Sequence, residues 1–170
     1  MAIRTIVTVP DGVLRRKAKK VTTFDKELHT LIEDMIETMR QAPGVGLAAP
    51  QIGVLQRVIV VEYGDEEDEE APKKLFAVVN PEITHASEEM VVGNEGCLSI
   101  PRIMGEVERH EKIEVRGQNK FGKPVKYRLS GWLARIFQHE IDHLEGVLFT
   151  DRATKLWRVA EEEEEVPDTV

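Results

Sequence analysis

Apolar residues recur at two different periods along this chain, and the change of period divides it into elements. Between Asp25 and Gln41, the residues Leu28, Leu31, Ile32, Met35, Ile36 and Met39 follow i, i+3, i+4, i+7 spacing, which puts them on one face of a helix. Pro43 and Gly44 end that helix. Arg57 to Val61 is apolar almost throughout and predicts a strand covered on both faces. Further strands are expected over Leu75 to Asn80, closed by Pro81, and over Glu82 to Val92, with a turn at Gly93 and Asn94. Two more, Glu111 to Arg116 and Pro124 to Leu129, are joined by a turn containing Asn119-Lys120-Phe121-Gly122. Helical spacing returns after Ser130 and Gly131 with Leu133, Ile136, Phe137, Ile141 and Leu144, and Gly146 stops it. Short helices are expected after an Asp11 N-cap, through about Ala18, and from Thr154 to about Ala160. The fold class is therefore α+β. Mostly antiparallel strands pack around a central C-terminal helix, with a helical region near the N-terminus.

Length and charge narrow the picture. At 170 residues the chain is simplest as one catalytic-sized domain over 1–160, followed by an acidic, frayed tail over 161–170. A net charge of -8 disfavours a nucleic-acid backbone or an anionic membrane as a partner, although much of the acid sits in that tail and in Asp65 to Glu70. No apolar stretch reaches the length of a membrane span, and the first residues show no secretory leader. A single cysteine, Cys97, cannot form an internal disulfide. A cytoplasmic location is expected.

The chemistry is concentrated in Gln138-His139-Glu140-Ile141-Asp142-His143. Residues at i and i+4 share a helix face, so His139 and His143 can aim two imidazoles at one point with Glu140 beside it. This is the H-E-x-x-H pattern of metal hydrolases. The bland alternative is a solvated helix face with two scattered histidines. A tetrahedral catalytic site needs a third protein ligand and an open position. No histidine follows His143, and Glu145 is too close in sequence to swing round. The remaining soft donor is Cys97, about forty residues upstream. The small-residue block Gly44-Val45-Gly46-Leu47-Ala48-Ala49-Pro50-Gln51 lets a backbone approach closely and ends in an amide. By itself it is equally readable as a plain loop.

Three blocks together, Gly44 to Gln51, Glu95-Gly96-Cys97-Leu98-Ser99 and Gln138 to His143, resemble the signature motifs of the peptide deformylases, in order and over roughly residues 3 to 155. The resemblance implies a hydrolase that removes the formyl group from N-formylmethionine on new polypeptides and releases formate. It implies one divalent metal held by Cys97, His139 and His143, with Fe2+ favoured and Zn2+, Ni2+ or Co2+ able to take the same donors. It assigns Glu140 as general base and acid towards the attacking water. The Gln51 side chain and the Leu98 backbone N–H become donors to the developing oxyanion. Substrate would be held by Gly44, Val45 and Gly46 along its backbone, and by Ile100, Trp132 and Ile136 around the methionine side chain. The partner it implies is the formylated nascent chain, met near the ribosomal exit tunnel. Two readings compete: a zincin-type zinc endopeptidase, and a silent homologue that only binds formylated ends.

Other residues carry milder expectations. Trp132 stands where a smaller aliphatic is common, and Arg135 is read as a solvent-facing rim residue or a peptide contact. Arg109 and Glu95 are expected to form a salt bridge that orients the Cys97 loop. Asp142 is expected to support a histidine or the fold. His29, His85 and His110 are expected to stay outside the site.

Overall fold

The computed structural model describes residues 2–64 and 72–160. The acidic run at 65–70 and the tail at 161–170 lie outside the described residues. The elements in order are α1 (Lys26–Gln41), β1 (Gly46–Ala48), β2 (Val58–Tyr63), β3 (Lys74–Ala86), β4 (Met90–Cys97), β5 (Ile100–His110), β6 (Lys112–Gln118), β7 (Pro124–Ser130), α2 (Gly131–Leu144), α3 (Phe149–Arg152) and β8 (Lys155–Arg158). Short 3-10 turns cover Gly12–Arg15 and Ala49–Ile52.

Two antiparallel sheets form. One runs β1-β2-β3-β6-β7 and the other β4-β5-β8. Strand β2 shows why the first sheet is sandwiched. Its alternate residues Ile59 and Val61 pack with Ile136, Phe137, Ile141 and Leu144 of α2. Val58 and Val60 face the other way, against Leu28, Leu31, Ile32, Met35 and Met39 of α1. A strand with helices on both faces must be apolar on both, and β2 is from Val58 to Val61. Helix α1 starts where the Asp25 carboxylate caps the Leu28 N–H at 3.0 Å.

Four expectations change. The basic stretch after Asp11 makes one 3-10 turn, Gly12–Arg15, and is extended by Arg16. Pro81 does not end its strand, because β3 bulges there and continues to Ala86. Gly93 and Asn94 lie inside β4, paired with Val107 and Glu106. The stretch 155–158 is strand β8, whose Trp157 and Leu156 pair with Met104 and Gly105. Strand β5 has no counterpart in the periodicity.

At the β3 bulge, Asn80 takes a positive φ of 51°. Its side chain accepts from the Val21 N–H at 2.8 Å and donates to Val21 O at 2.9 Å and to Gln118 Oε1 at 2.8 Å. Asn tolerates this backbone conformation, and the three bonds hold the chain entering α1 against the sheet. We expect Asn80→Ala to cost about 2–4 kcal/mol in urea unfolding, from lost hydrogen bonds and left-handed strain. Asn80→Gly should recover part of that loss.

Candidate metal centre

The site begins with a carboxylate. Glu95, on β4, is fully buried between two arginines. Arg109 of β5 donates to it twice, at 2.9 and 2.8 Å, and Arg135 of α2 donates at 2.6 Å. Burial alone would favour the neutral acid, but the Arg109 guanidinium and His139 hold the carboxyl well below its usual range. The expected Arg109–Glu95 pair is present. Arg135 is not a rim residue. It is buried, and it also donates to Val107 O and Val91 O at 2.9 and 2.7 Å. Gly93 is required there, since a Cβ would lie 2.8 Å from the Arg135 guanidinium carbon.

Glu95 fixes the first imidazole. His139 Nδ1 lies 3.0 Å from Glu95 Oε1, which assigns the proton to Nδ1 and leaves the Nε2 lone pair free to coordinate. That Nε2 is buried and has no hydrogen-bond partner. Cys97 Sγ, where β4 ends, is 3.4 Å from His143 Nε2. One donor atom each from Cys97, His139 and His143 falls within 4.8 Å of the others, and all three residues are buried. Among the described residues no downstream acid or histidine joins them, and the group that could hold a metal is completed by the upstream cysteine.

Electrostatics favour a cation at this point. Burial opposes an imidazolium at His139, yet the Cys97 sulfur and Glu95 raise it to about 10 in the absence of a metal. His143 is driven well below its ordinary value by burial and by a charged His139. The pocket is thus anionic enough to hold a positive charge, and a divalent ion on these donors satisfies the same demand. One sulfur and two imidazoles suit a first-row divalent metal. The residues fit the group.

Glu140 sits beside the donors, with both oxygens buried and unpartnered. Burial pushes its carboxyl up to about 7, although His139 and Arg109 pull the other way. A Cβ on Gly46 would lie 2.6 Å from Glu140 Oε2, so this glycine makes room for the carboxylate. Gln51 is also fully buried. Its Oε1 accepts from the Ala48 N–H at 3.0 Å, and Nε2 points to Ser99 Oγ at 3.1 Å and Cys97 Sγ at 3.6 Å. Leu98 follows Cys97 in the two-residue loop between β4 and β5 and packs with the α1 cluster.

The expected pocket residues divide. Val45, Trp132 and Ile136 belong to one apolar cluster, with the Arg135 guanidinium 5.4 Å from the Trp132 ring centre. Ile100 packs instead with Leu14, Cys97, Val107, Leu148 and Phe149. The Gly44 N–H closes the end of α1 on Met39 O. Asp142 is held by Arg109 at 2.7 Å and by Arg152 at 2.7 and 3.0 Å. Gln138, inside the motif, clamps α2 to β5 through the His110 N–H and carbonyl. His29 and His110 bond backbone carbonyls elsewhere.

The sequence model of the polypeptide deformylases matches residues 3–159. The chain belongs to the polypeptide deformylase family. A peptide deformylase of Symbiobacterium thermophilum is 52% identical over 165 residues, covering 97% of this chain and 73% of that protein. The peptide deformylase of Thermotoga maritima superposes with a TM-score of 0.84 at 46% identity, covering 91% of this chain and 100% of the other. A class I type b peptide deformylase from Acinetobacter baumannii, solved with Met-Ala-Ser bound, gives 0.82 at 37% identity over 89% and 98%. Like other deformylases, this chain is a hydrolase that removes the formyl group from the N-terminal methionine of new polypeptides. Among the described residues no helix is long and apolar enough to cross a membrane.

Sequence reasoning put Arg135 on the rim or against the peptide, and gave Ser99 no role of its own. A signal for placing the first existed: Arg135, Gln138, His139 and Asp142 fall at i, i+3, i+4 and i+7. They form a polar stripe on a helix whose other face is apolar.

Replacing Glu95 by Gln leaves two buried guanidinium groups short of their anion. We expect a loss of about 3–5 kcal/mol, read as a fall of roughly 10 °C in thermal unfolding. Chelator competition should show metal affinity reduced by about 10–100-fold.

Proposed function

We propose that Cys97, His139 and His143 hold one divalent cation, Fe2+ in the cell, and that Glu140, Gln51 and Leu98 act on the formyl group beside it. The observation that supports this most is the His139 imidazole. Glu95 occupies one of its nitrogens, and the other is buried with no partner next to Cys97 and His143. Zn2+, Ni2+ and Co2+ suit the same donors. When bound, such a cation supplies Lewis acidity, polarising a carbonyl and making water a usable nucleophile near neutral pH.

The chain's own residues do the rest. Glu140 takes a proton from water as the water oxygen adds to the formyl carbon. Negative charge then builds on the former carbonyl oxygen. The Gln51 Nε2–H and the Leu98 backbone N–H donate to it, each worth about 3 kcal/mol of barrier. As the C–N bond breaks, its electron pair stays on nitrogen and Glu140 returns the proton there, leaving formate and a free amine. Retention of a buried, unpaired Glu140 favours this hydrolase over a silent binder.

Val45, Trp132 and Ile136 form the wall for the methionine side chain, and the Met-Ala-Ser found in the Acinetobacter baumannii enzyme matches a substrate entering by its methionine end. Ile100 packs against Cys97, and Gly44 leads through Val45 into the strand that begins at Gly46. A single domain over 1–160 contains the whole site. The substrate places the enzyme in the cytoplasm, near the ribosomal exit where formylated ends emerge.

Anaerobically purified, metal-replete protein should release formate from formyl-Met peptides and leave acetyl-Met peptides nearly untouched. Glu140→Gln should keep its metal and lose about 100–10,000-fold in kcat. Equal rates on both acyl groups, or a fully active Glu140→Gln variant, would contradict the assignment.

A further inference from the structure

The two oxyanion donors come from different sheets. Gln51 follows β1 of the five-stranded sheet, and Leu98 lies in the hairpin loop of the three-stranded sheet. No common strand ladder sets their separation. The residues that tie the two turns together lie at the start of the chain.

Residues 2–9 form an extended strap without regular secondary structure. The Val7 N–H donates to Gln51 O at 2.7 Å, and two residues later the Val9 N–H donates to Ser99 O at 2.9 Å. The strap is anchored at its far end on α1. There the Ala2 N–H donates to Asp34 Oδ1 at 2.8 Å and the Arg4 N–H to Thr38 Oγ1 at 2.9 Å, while Arg4 Nε meets Asp34 Oδ2 at 2.9 Å. Asp34 and Thr38 are one turn apart on α1, and both are buried.

We propose that this strap is a positioning device for the oxyanion donors, with Val7 and Val9 holding the Gln51 turn against the Leu98–Ser99 turn through their backbone N–H groups. The Gln51 side chain spans the same gap, from Nε2 to Ser99 Oγ at 3.1 Å. Strap and side chain thus close one loop: Val7 to Gln51, Gln51 to Ser99, Ser99 to Val9. If the strap lets go, the Gln51 amide and the Leu98 N–H can drift apart while the metal donors, held by α2 and β4, stay in place. A misplacement near 1 Å at a reacting centre costs up to about 100-fold in rate. The inference rests on reading Gln51 as a donor to the substrate carbonyl.

The test is a double-mutant cycle on metal-loaded, full-length protein. Val7→Pro removes the N–H that bonds Gln51 O, and an amide-to-ester replacement of the same linkage removes it without a ring. With Gln51 present, either change should lower kcat by about tenfold or more. KM for a formyl-Met peptide should stay within about twofold, and metal content should remain at one per chain. The NMR resonances of the Gln51 side-chain amide should move. On a Gln51→Ala background, neither change should lower kcat further, because the group being positioned is gone. The same fold-loss in both backgrounds, an unchanged kcat, or metal lost together with activity in both forms overturns the proposal. If Gln51→Ala alone leaves kcat intact, the donor reading fails by itself. The strap is then judged on the amide resonances, and resonances that do not move overturn it.

Discussion

A buried carboxylate that cannot afford to lose its partners organises this protein. Glu95 is removed from water among Arg109, Arg135 and His139, and each partner comes from an element that must dock correctly for the charge to be met. Arg109 brings β5, and Arg135 and His139 bring α2. Charges taken out of water interact strongly but tolerate no vacancy, so the cluster is less a source of net stability than a demand for one arrangement. That arrangement leaves His139 Nε2 facing Cys97 and His143. The same residue sits two positions before Cys97 on β4, so one carboxylate sets the cysteine strand against the histidine helix.

The two sheets divide the work. The five-stranded sheet, apolar on both faces along β2, carries α2 and the Gly46–Gln51 segment. The three-stranded sheet delivers Cys97 and Leu98 from a hairpin whose ladder slips between Gly96 and Cys97. The site forms where the sheets meet, and beside the apolar packing of Leu98 that seam is crossed by polar contacts: Arg135 to Val91 and Val107 carbonyls, Gln138 to His110, and Gln51 to Ser99. A seam of directional bonds fixes positions more tightly than an apolar contact of the same size, because each bond has a preferred angle and length. Glu140 departs from that pattern. Its oxygens have no partner, and Gly46 gives them space. An unsatisfied buried carboxylate costs free energy, and it persists here in the position where the proposed proton transfer would use it.

Much of this was readable in the chain itself. The H-E-x-x-H spacing, the lone cysteine upstream and the small-residue block all signal through local rules, and the apolar stripes of α1 and α2 are long enough to dominate their neighbourhoods. The parts that were not legible depend on partners far away in sequence. Strand β5 contains Pro101 and an Arg102 at φ 65°, and its burial alternates only from Gly105 on, where the buried positions are Gly105, Val107 and Arg109, so no apolar period of two shows in the sequence. Residues 155–158 suit a helix or a strand equally, and pairing with Ile103 to Glu106 decides for the strand. Gly93 reads as a turn because nothing nearby shows the guanidinium of Arg135 lying across it, and Asn80-Pro81 reads as a stop because the bulge needs β6 opposite. Arg135 reads as solvent-facing until Glu95 is brought to it.

The central claim is that one sulfur and two imidazole nitrogens share a single ion. X-ray absorption at the K-edge of the bound metal, on anaerobically prepared protein with one ion per chain, counts those donors directly. The account predicts one sulfur scatterer with two imidazole nitrogens. A shell made only of nitrogen and oxygen, with no sulfur, would contradict it.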